Sequence, residues 1–174
     1  MRLLPGLFFV IIICGIVSCT KKDVQLEQED EDIEISNPPV TSFNVNKEVL
    51  LQLVNDVRKA GCKCGSTAMP PVAAITWDDR LATAAYYHSK DMNDKNYFDH
   101  TGQDGSSPGE RITAAGYKWR SYGENIARGQ ADEQAVMNSW LKSEGHCKNI
   151  MDAGFKEMGV ARVGAYWTQV FGSR

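Results

Sequence analysis

Apolar and polar positions change their pattern three times along this chain. Leu3 to Val17 is a run of fifteen residues without a charge, preceded by Met1-Arg2 and interrupted by Pro5 and Gly6. Crossing a bilayer takes roughly 18–20 apolar residues, so the run is too short for a span and fits the core of a secretory signal. Polar residues then dominate to about residue 45, and from there apolar positions recur with the period of helices. Asn46 is placed to cap a first helix, with Val45 and Leu50 as a hydrophobic staple, a stripe of Val49, Leu50, Leu53, Val54 and Val57, and Gly61 as the stop. A second helix starts at Asp78 and carries Leu81, Ala85, His88 and Met92 on one face. Ser107-Pro108-Gly109-Glu110 reads as a capping box with Pro at the first helical position, opening a short third helix that ends at Gly116. A fourth is predicted from about Ala131 to Lys142, with Val136, Met137, Trp140 and Leu141 as its apolar face. The period then changes: Met158–Val163 and Tyr166–Phe171 read as two strands of a hairpin turning near Gly164. Helices beside a small antiparallel sheet make the expected class α+β.

The first two regimes predict targeting and tethering. The apolar run ends at Ile16-Val17-Ser18-Cys19, which resembles a bacterial lipobox, where the signal is cut before a Cys that receives a diacylglyceryl group. Residues 1–18 are therefore expected to be a lipoprotein signal peptide and Cys19 the lipidated residue. Two or more acyl chains anchor stably where one does not. Residues 19–45 are expected to be that Cys and an acidic flexible tether. Seven of the 22 acidic residues lie between Asp23 and Glu34, and Pro38-Pro39 follow. Self-repelling carboxylates and a double Pro favour an extended chain, which at full stretch reaches about 85–95 Å. The predicted partner is thus a membrane, reached through the lipid, and the location extracytoplasmic, on an outer membrane or cell surface.

Composition refines this little. The chain has 174 residues, 43% of them hydrophobic, with a net charge of −3 that belongs to the tether, so one near-neutral domain over 46–174 is expected, as a monomer. No Lys/Arg cluster offers a footprint for nucleic acid. The chain contains neither a His-Glu-x-x-His nor a Gly-x-Ser-x-Gly motif, and Gly102-Gln103-Asp104-Gly105 reads as a turn cluster. His88, on an apolar helix face, reads as a core imidazole. Trp77, Trp140 and Trp167 read as core, and Trp119 as the exposed aromatic.

An ordered series of short motifs carries a family resemblance. It comprises Ile75-Thr76-Trp77-Asp78, His88-Ser89-x-Asp91-Met92, Tyr97-Phe98-Asp99-His100, Gly123-Glu124-Asn125-Ile126-Ala127, Trp140-Leu141, Gly145-His146 and Gly159-Val160. The series resembles the CAP superfamily (cysteine-rich secretory proteins, antigen 5 and pathogenesis-related proteins) in its bacterial SCP-like branch, from about residue 47 to 173. The resemblance implies an α-β-α sandwich, a small antiparallel sheet between helical layers, with a cleft of two His and two acidic residues. The first His maps to His100 and the first Glu to Glu124. The second His maps to His146, which stands thirteen residues before Gly159 as the family spacing requires; Tyr166-Trp167-Thr168-Gln169 only mimics the motif. The second acidic position falls on Ser143, which makes Glu144, one later, the candidate.

Those residues allow several chemistries. His100 and His146 could bind a divalent metal such as zinc through neutral imidazoles, with Glu124 or Glu144 as third ligand or base. The alternative is a hydrogen-bonded network that pins loops over the sheet. Beyond the signal and Cys19, three Cys remain, and in an oxidising compartment a disulfide is the default. The resemblance implies Cys64–Cys147, leaving Cys62 free or exchanging with Cys64; a Cys62/Cys64/Cys147/His146 zinc site is the rival. Three functions follow: a binding module for cell-envelope or host-surface ligands, a metal-assisted hydrolase of cell-wall or peptide substrates, and a structural surface protein. The first is favoured, since the resemblance implies no settled reaction and no nucleophile is evident.

Overall fold

A computed structural model describes residues 42–174. The apolar run, Cys19 and almost all of the acidic segment lie outside the described residues. No helix among the described residues is long and apolar enough to cross a membrane.

The helix starts follow from their caps. Helix α1 (Lys47–Ala60) begins where the Asn46 side chain accepts from the Val49 N–H, and stops at Gly61, whose φ of +71° suits a residue without a side chain. Leu50 and Val54 are buried as expected, but Val49 is 41% exposed. Arg58, one turn beyond Val54, extends the inner face and is wholly buried. Asp78 caps α2 (Asp79–Lys95), and the Ser107/Glu110 capping box opens α3 (Pro108–Ala114). Asp132 caps α4 (Glu133–Lys142), two residues inside the predicted start. A fifth helix, α5 (Glu144–Met151), follows almost at once; it is too short to show a period of its own.

Six strands accompany these helices. A hairpin of β1 (Cys62–Cys64) and β2 (Thr67–Met69) stands apart. The main sheet contains β3 (Thr76–Trp77), β4 (Ser121–Arg128), β5 (Glu157–Val163) and β6 (Tyr166–Ser173), in the order β3-β5-β6-β4. The predicted hairpin is β5–β6, turning at Gly164 with φ +57°. The sheet is antiparallel except where β3 runs parallel to β5 over two residues. Strand β4 was not anticipated, although it carries the Gly-Glu-Asn motif and pairs with the whole of β6.

Side chains on a strand alternate between two faces, and here both faces are covered. Met158, Val160, Trp167 and Phe171 join Leu50, Val54, Met137, Trp140 and Ile150 from α1, α4 and α5. Ala161 and Val170, from the intervening positions, join Leu81, Ala85 and Ile112 from α2 and α3. The result is a mixed α/β sandwich with the sheet in the middle. Gly159 belongs to the second face. A Cβ there would overlap the backbone of Ala82, so α2 can lie against β5 only because this residue has no side chain.

Arg58 ties the first layer together. Its guanidinium donates to the carbonyls of Ala73 (2.8 Å), Ile150 (2.7 Å), Asp152 (2.9 Å) and Phe155 (3.3 Å). Four backbone acceptors from two loops and the end of α5 are thereby satisfied by one buried side chain.

Candidate functional site

Within the main sheet β4 is bonded to β6 alone, so it forms one edge, and the candidate residues gather across that edge. Glu124 lies opposite Val170 and Asn125 opposite Gln169. Cross-strand partners share a face. Glu124 therefore points toward the α2–α3 layer, and Asn125 toward the layer that contains α5. The Asn125 amide donates to the His146 carbonyl (3.2 Å) and to Gln169 Oε1 (3.0 Å). Asn149 of α5 donates to Asn125 Oδ1 (2.8 Å) and to the Glu124 carbonyl (3.2 Å). These bonds fix the helix that carries His146 against the strand that carries Glu124.

His100 comes from the loop between α2 and α3. Its Nδ1 stands 2.8 Å from Glu124 Oε1, and Arg111 Nη2 donates to Glu124 Oε2 at 2.9 Å. Arg111 also donates to the carbonyls of His100 and Ser106, both at 2.8 Å, so it holds the loop as well as the carboxylate. The Glu124 side chain is 3% exposed and that of Arg111 10%, while that of His100 is 49% exposed. A buried, doubly bonded carboxylate thus orients a half-exposed imidazole. With Nδ1 donating to Glu124, the outward Nε2 of neutral His100 carries the lone pair.

His88 lies beneath this pair. It is fully buried, in keeping with a core position, but its ring is turned to the site. Nε2 donates to the Asp99 carbonyl at 2.9 Å and lies 3.8 Å from Glu124 Oε1, while Nδ1 has no hydrogen-bond partner among the described residues. Burial pushes its pKa down, against the pull of Glu124, so it is held neutral.

His100 and His146 are pushed in opposite directions. The hydrogen bond to Glu124 raises His100 above its ordinary value; burial, and then the charge of His100, lower His146. At neutral pH the first therefore favours its charged form more, and the second its neutral form. Glu144 is not part of the group. Its carboxylate pairs with Lys148 at 2.6 Å and lies against Gly65 of the β1–β2 turn, away from Glu124.

A metal finds two imidazoles here and little else. Both Glu124 oxygens already accept from protein donors, and Glu144 is turned elsewhere. Among the described residues the only three His, Cys, Asp or Glu ligand atoms within 4.8 Å of one another belong to Cys62, Cys64 and Cys147. The cleft residues present do not fit a closed three-ligand centre, and a cation held at these imidazoles would have to take most of its ligands from solvent. The sulfur cluster differs again. Cys64 and Cys147 are joined by a disulfide and Cys62 is free, so the thiolates that a Cys62/Cys64/Cys147/His146 zinc site would need are already spent.

Residues 51–171 match the profile of CAP, the Cysteine-rich secretory protein family. The chain belongs to this family. Among curated proteins this CAP domain is 43% identical over 96 residues to YkwD of Bacillus subtilis, covering 54% of this chain and 37% of that protein. It is 35% identical over 100 residues to the membrane protein YlbC of the same organism, covering 58% of this chain and 29% of YlbC. The chain thus spans about a third of the length of these relatives. Among solved structures it resembles an extracellular SCP-domain protein of Bacillus anthracis, with TM-score 0.66 and 31% identity over 73% of this chain and 40% of that one. An outer surface protein of Borrelia burgdorferi shares the fold, with TM-score 0.63 and 20% identity over 73% and 91% of the two chains.

Two residues of this CAP site escaped the sequence reading. Arg111 is hidden in a helix recognised only by its cap, and nothing local marks it as the partner of Glu124. His88 carried a weak signal, a lone titratable group on an otherwise apolar helix face. Both also line a recess of about 360 Å³ between α2 and α3, with Ala84, Asp91 and Glu110; neither His100 nor His146 borders it. Trp119 is 39% exposed and meets Tyr122 edge-on, while Trp140 and Trp167 are core residues and Trp77 is half-buried.

Proposed function

We propose that this CAP protein is an extracytoplasmic binding module, held to a membrane by lipid on Cys19, whose His100/His146 cleft takes a polar ligand or a divalent cation such as Zn²⁺. One observation carries the reading: a buried carboxylate, fixed by Arg111, that orients the half-exposed His100 and leaves its Nε2 to solvent. Groups that serve stability alone have no need of an outward, oriented lone pair. Zn²⁺ bound there would supply Lewis acidity. The protein's own part is to keep His100 in one tautomer, to keep His146 neutral and to hold both across the β4 edge. Envelope polysaccharide, peptides or host surface molecules are the polar ligands within reach of a domain on a long tether.

Calorimetric titration of the purified chain with Zn²⁺ tests the cleft. We expect weak one-site binding, lost in both His100→Ala and His146→Ala. Heat that is identical in wild type and both variants would remove the cation from the proposal. Partition into detergent, compared with Cys19→Ser, tests the anchor. A second reading, acid–base hydrolysis, draws on the opposed shifts of His100 and His146. Turnover of peptidoglycan or peptides that survives in wild type and fails in His146→Ala would select it.

A further inference from the structure

Cys62 and Cys64 are two residues apart on β1, so their side chains leave the same face of the strand. That face meets Cys147 on α5, which is bonded to Cys64. Cys62 Sγ lies 3.6 Å from Cys147 Sγ and 3.8 Å from Cys64 Sγ, close to contact with both ends of the bond. Displacement at a disulfide sulfur runs along the extension of the bond, where the attacker would be farther from one sulfur than from the other by a bond length of about 2 Å. The near-equal distances put Cys62 abreast of the bond. A turn of its side chain must come before any attack, and no backbone rearrangement is needed to bring the sulfur within range.

The three sulfurs are not equivalent to solvent. Cys64 and Cys147 are fully buried, packed with Met151, Val57, Met69 and Leu141, while Cys62 at the start of the strand is partly exposed. We propose that Cys62, Cys64 and Cys147 form one thiol–disulfide exchange centre, in which Cys147 trades partners between Cys64 and Cys62. The Cys62 thiolate attacks Cys147 Sγ. The Cys62–Cys147 bond forms as the Cys64–Cys147 bond breaks, and Cys64 leaves with the electron pair and takes up a proton in place of the one Cys62 lost. No electrons enter or leave the chain. The free thiol is thereby offered at Cys62 or concealed at Cys64. In the first state it is a covalent attachment point for a disulfide-bearing partner, which would be captured as a mixed disulfide; in the second it is withdrawn.

Peptide mapping of the full chain, purified without reductant, decides the matter. Trypsin cleaves after Lys63 and so puts Cys62 and Cys64 on different peptides. After incubation in mildly alkaline buffer, an acid quench and alkylation of free thiols, we expect label on Cys62 and on Cys64, with Cys147 cross-linked to whichever is unlabelled. Cys64→Ser should close a Cys62–Cys147 bond and leave neither Cys62 nor Cys147 open to label, and Cys62→Ser should hold Cys64–Cys147 alone. Label confined to Cys62 in wild type after prolonged incubation overturns the proposal. So does label on both Cys62 and Cys147 in a Cys64→Ser chain that still unfolds cooperatively in urea. If that variant fails to fold, the wild-type map decides alone.

Discussion

Replacing Arg58 by Met keeps an unbranched apolar stem but leaves the carbonyls of Ala73, Ile150, Asp152 and Phe155 without their donor. Buried acceptors left unpaired are costly, so Arg58→Met should lower unfolding free energy by about 3–5 kcal/mol, read from urea denaturation. Glu124 acts at the same scale through His100. Glu124→Gln should bring the His100 pKa down toward its ordinary value in an NMR titration, because the charged acceptor that raises it is gone. The sign for stability follows from linkage. A His raised in the folded state adds stability that is full below its unfolded value, about 6.5, and that fades as pH climbs through the folded value. His100→Ala should therefore lose most against wild type in mildly acidic buffer and least above neutrality. His100 and Glu124 were legible because each sits in a short motif with a fixed neighbourhood. Arg58 and Arg111 were not, since a polar residue on a helix announces nothing until its distant acceptors are known.

Elements were read as well as their boundaries are chemical. Asn46, Asp78 and Ser107 each cap the helix predicted from them, because a side chain that accepts from a backbone N–H two or three residues on is a local device. The β5–β6 hairpin was equally plain from its change of period. Strand β4 gave no such sign: Ser121-Tyr122-Gly123-Glu124-Asn125 neither alternates nor forms an apolar run, and it is a strand because β6 pairs with it. Helix α5 escaped because its eight residues follow α4 without a punctuating Gly or Pro. The close approach of α2 to β5 depends on Gly159. Gly159→Ala should push the helix off the sheet and cost about 3 kcal/mol or more, measured as a fall in the urea midpoint, with no effect expected from charge or pH.

At the scale of the whole molecule, the disulfide links a short hairpin near the start of the domain to a helix near its end, 83 residues apart in sequence. A loop of that length should contribute about 4–5 kcal/mol by restricting the unfolded chain. Cys147→Ser should lose that amount in equilibrium denaturation, and Cys64→Ser less, if Cys62 takes the vacated place. The two helical layers lie on opposite faces of the sheet; Lys47 of α1 reaches Asp79 of α2, and the layers approach one another again at the β4 margin. There His100 belongs to one layer and His146 to the other. Whatever sits between those rings would act as a rivet through both plates of the sandwich. Amide exchange should therefore slow in α3 and α5 together when the cleft fills, so occupancy could be followed by deuterium uptake even for a guest that has no colour, no heat and no turnover.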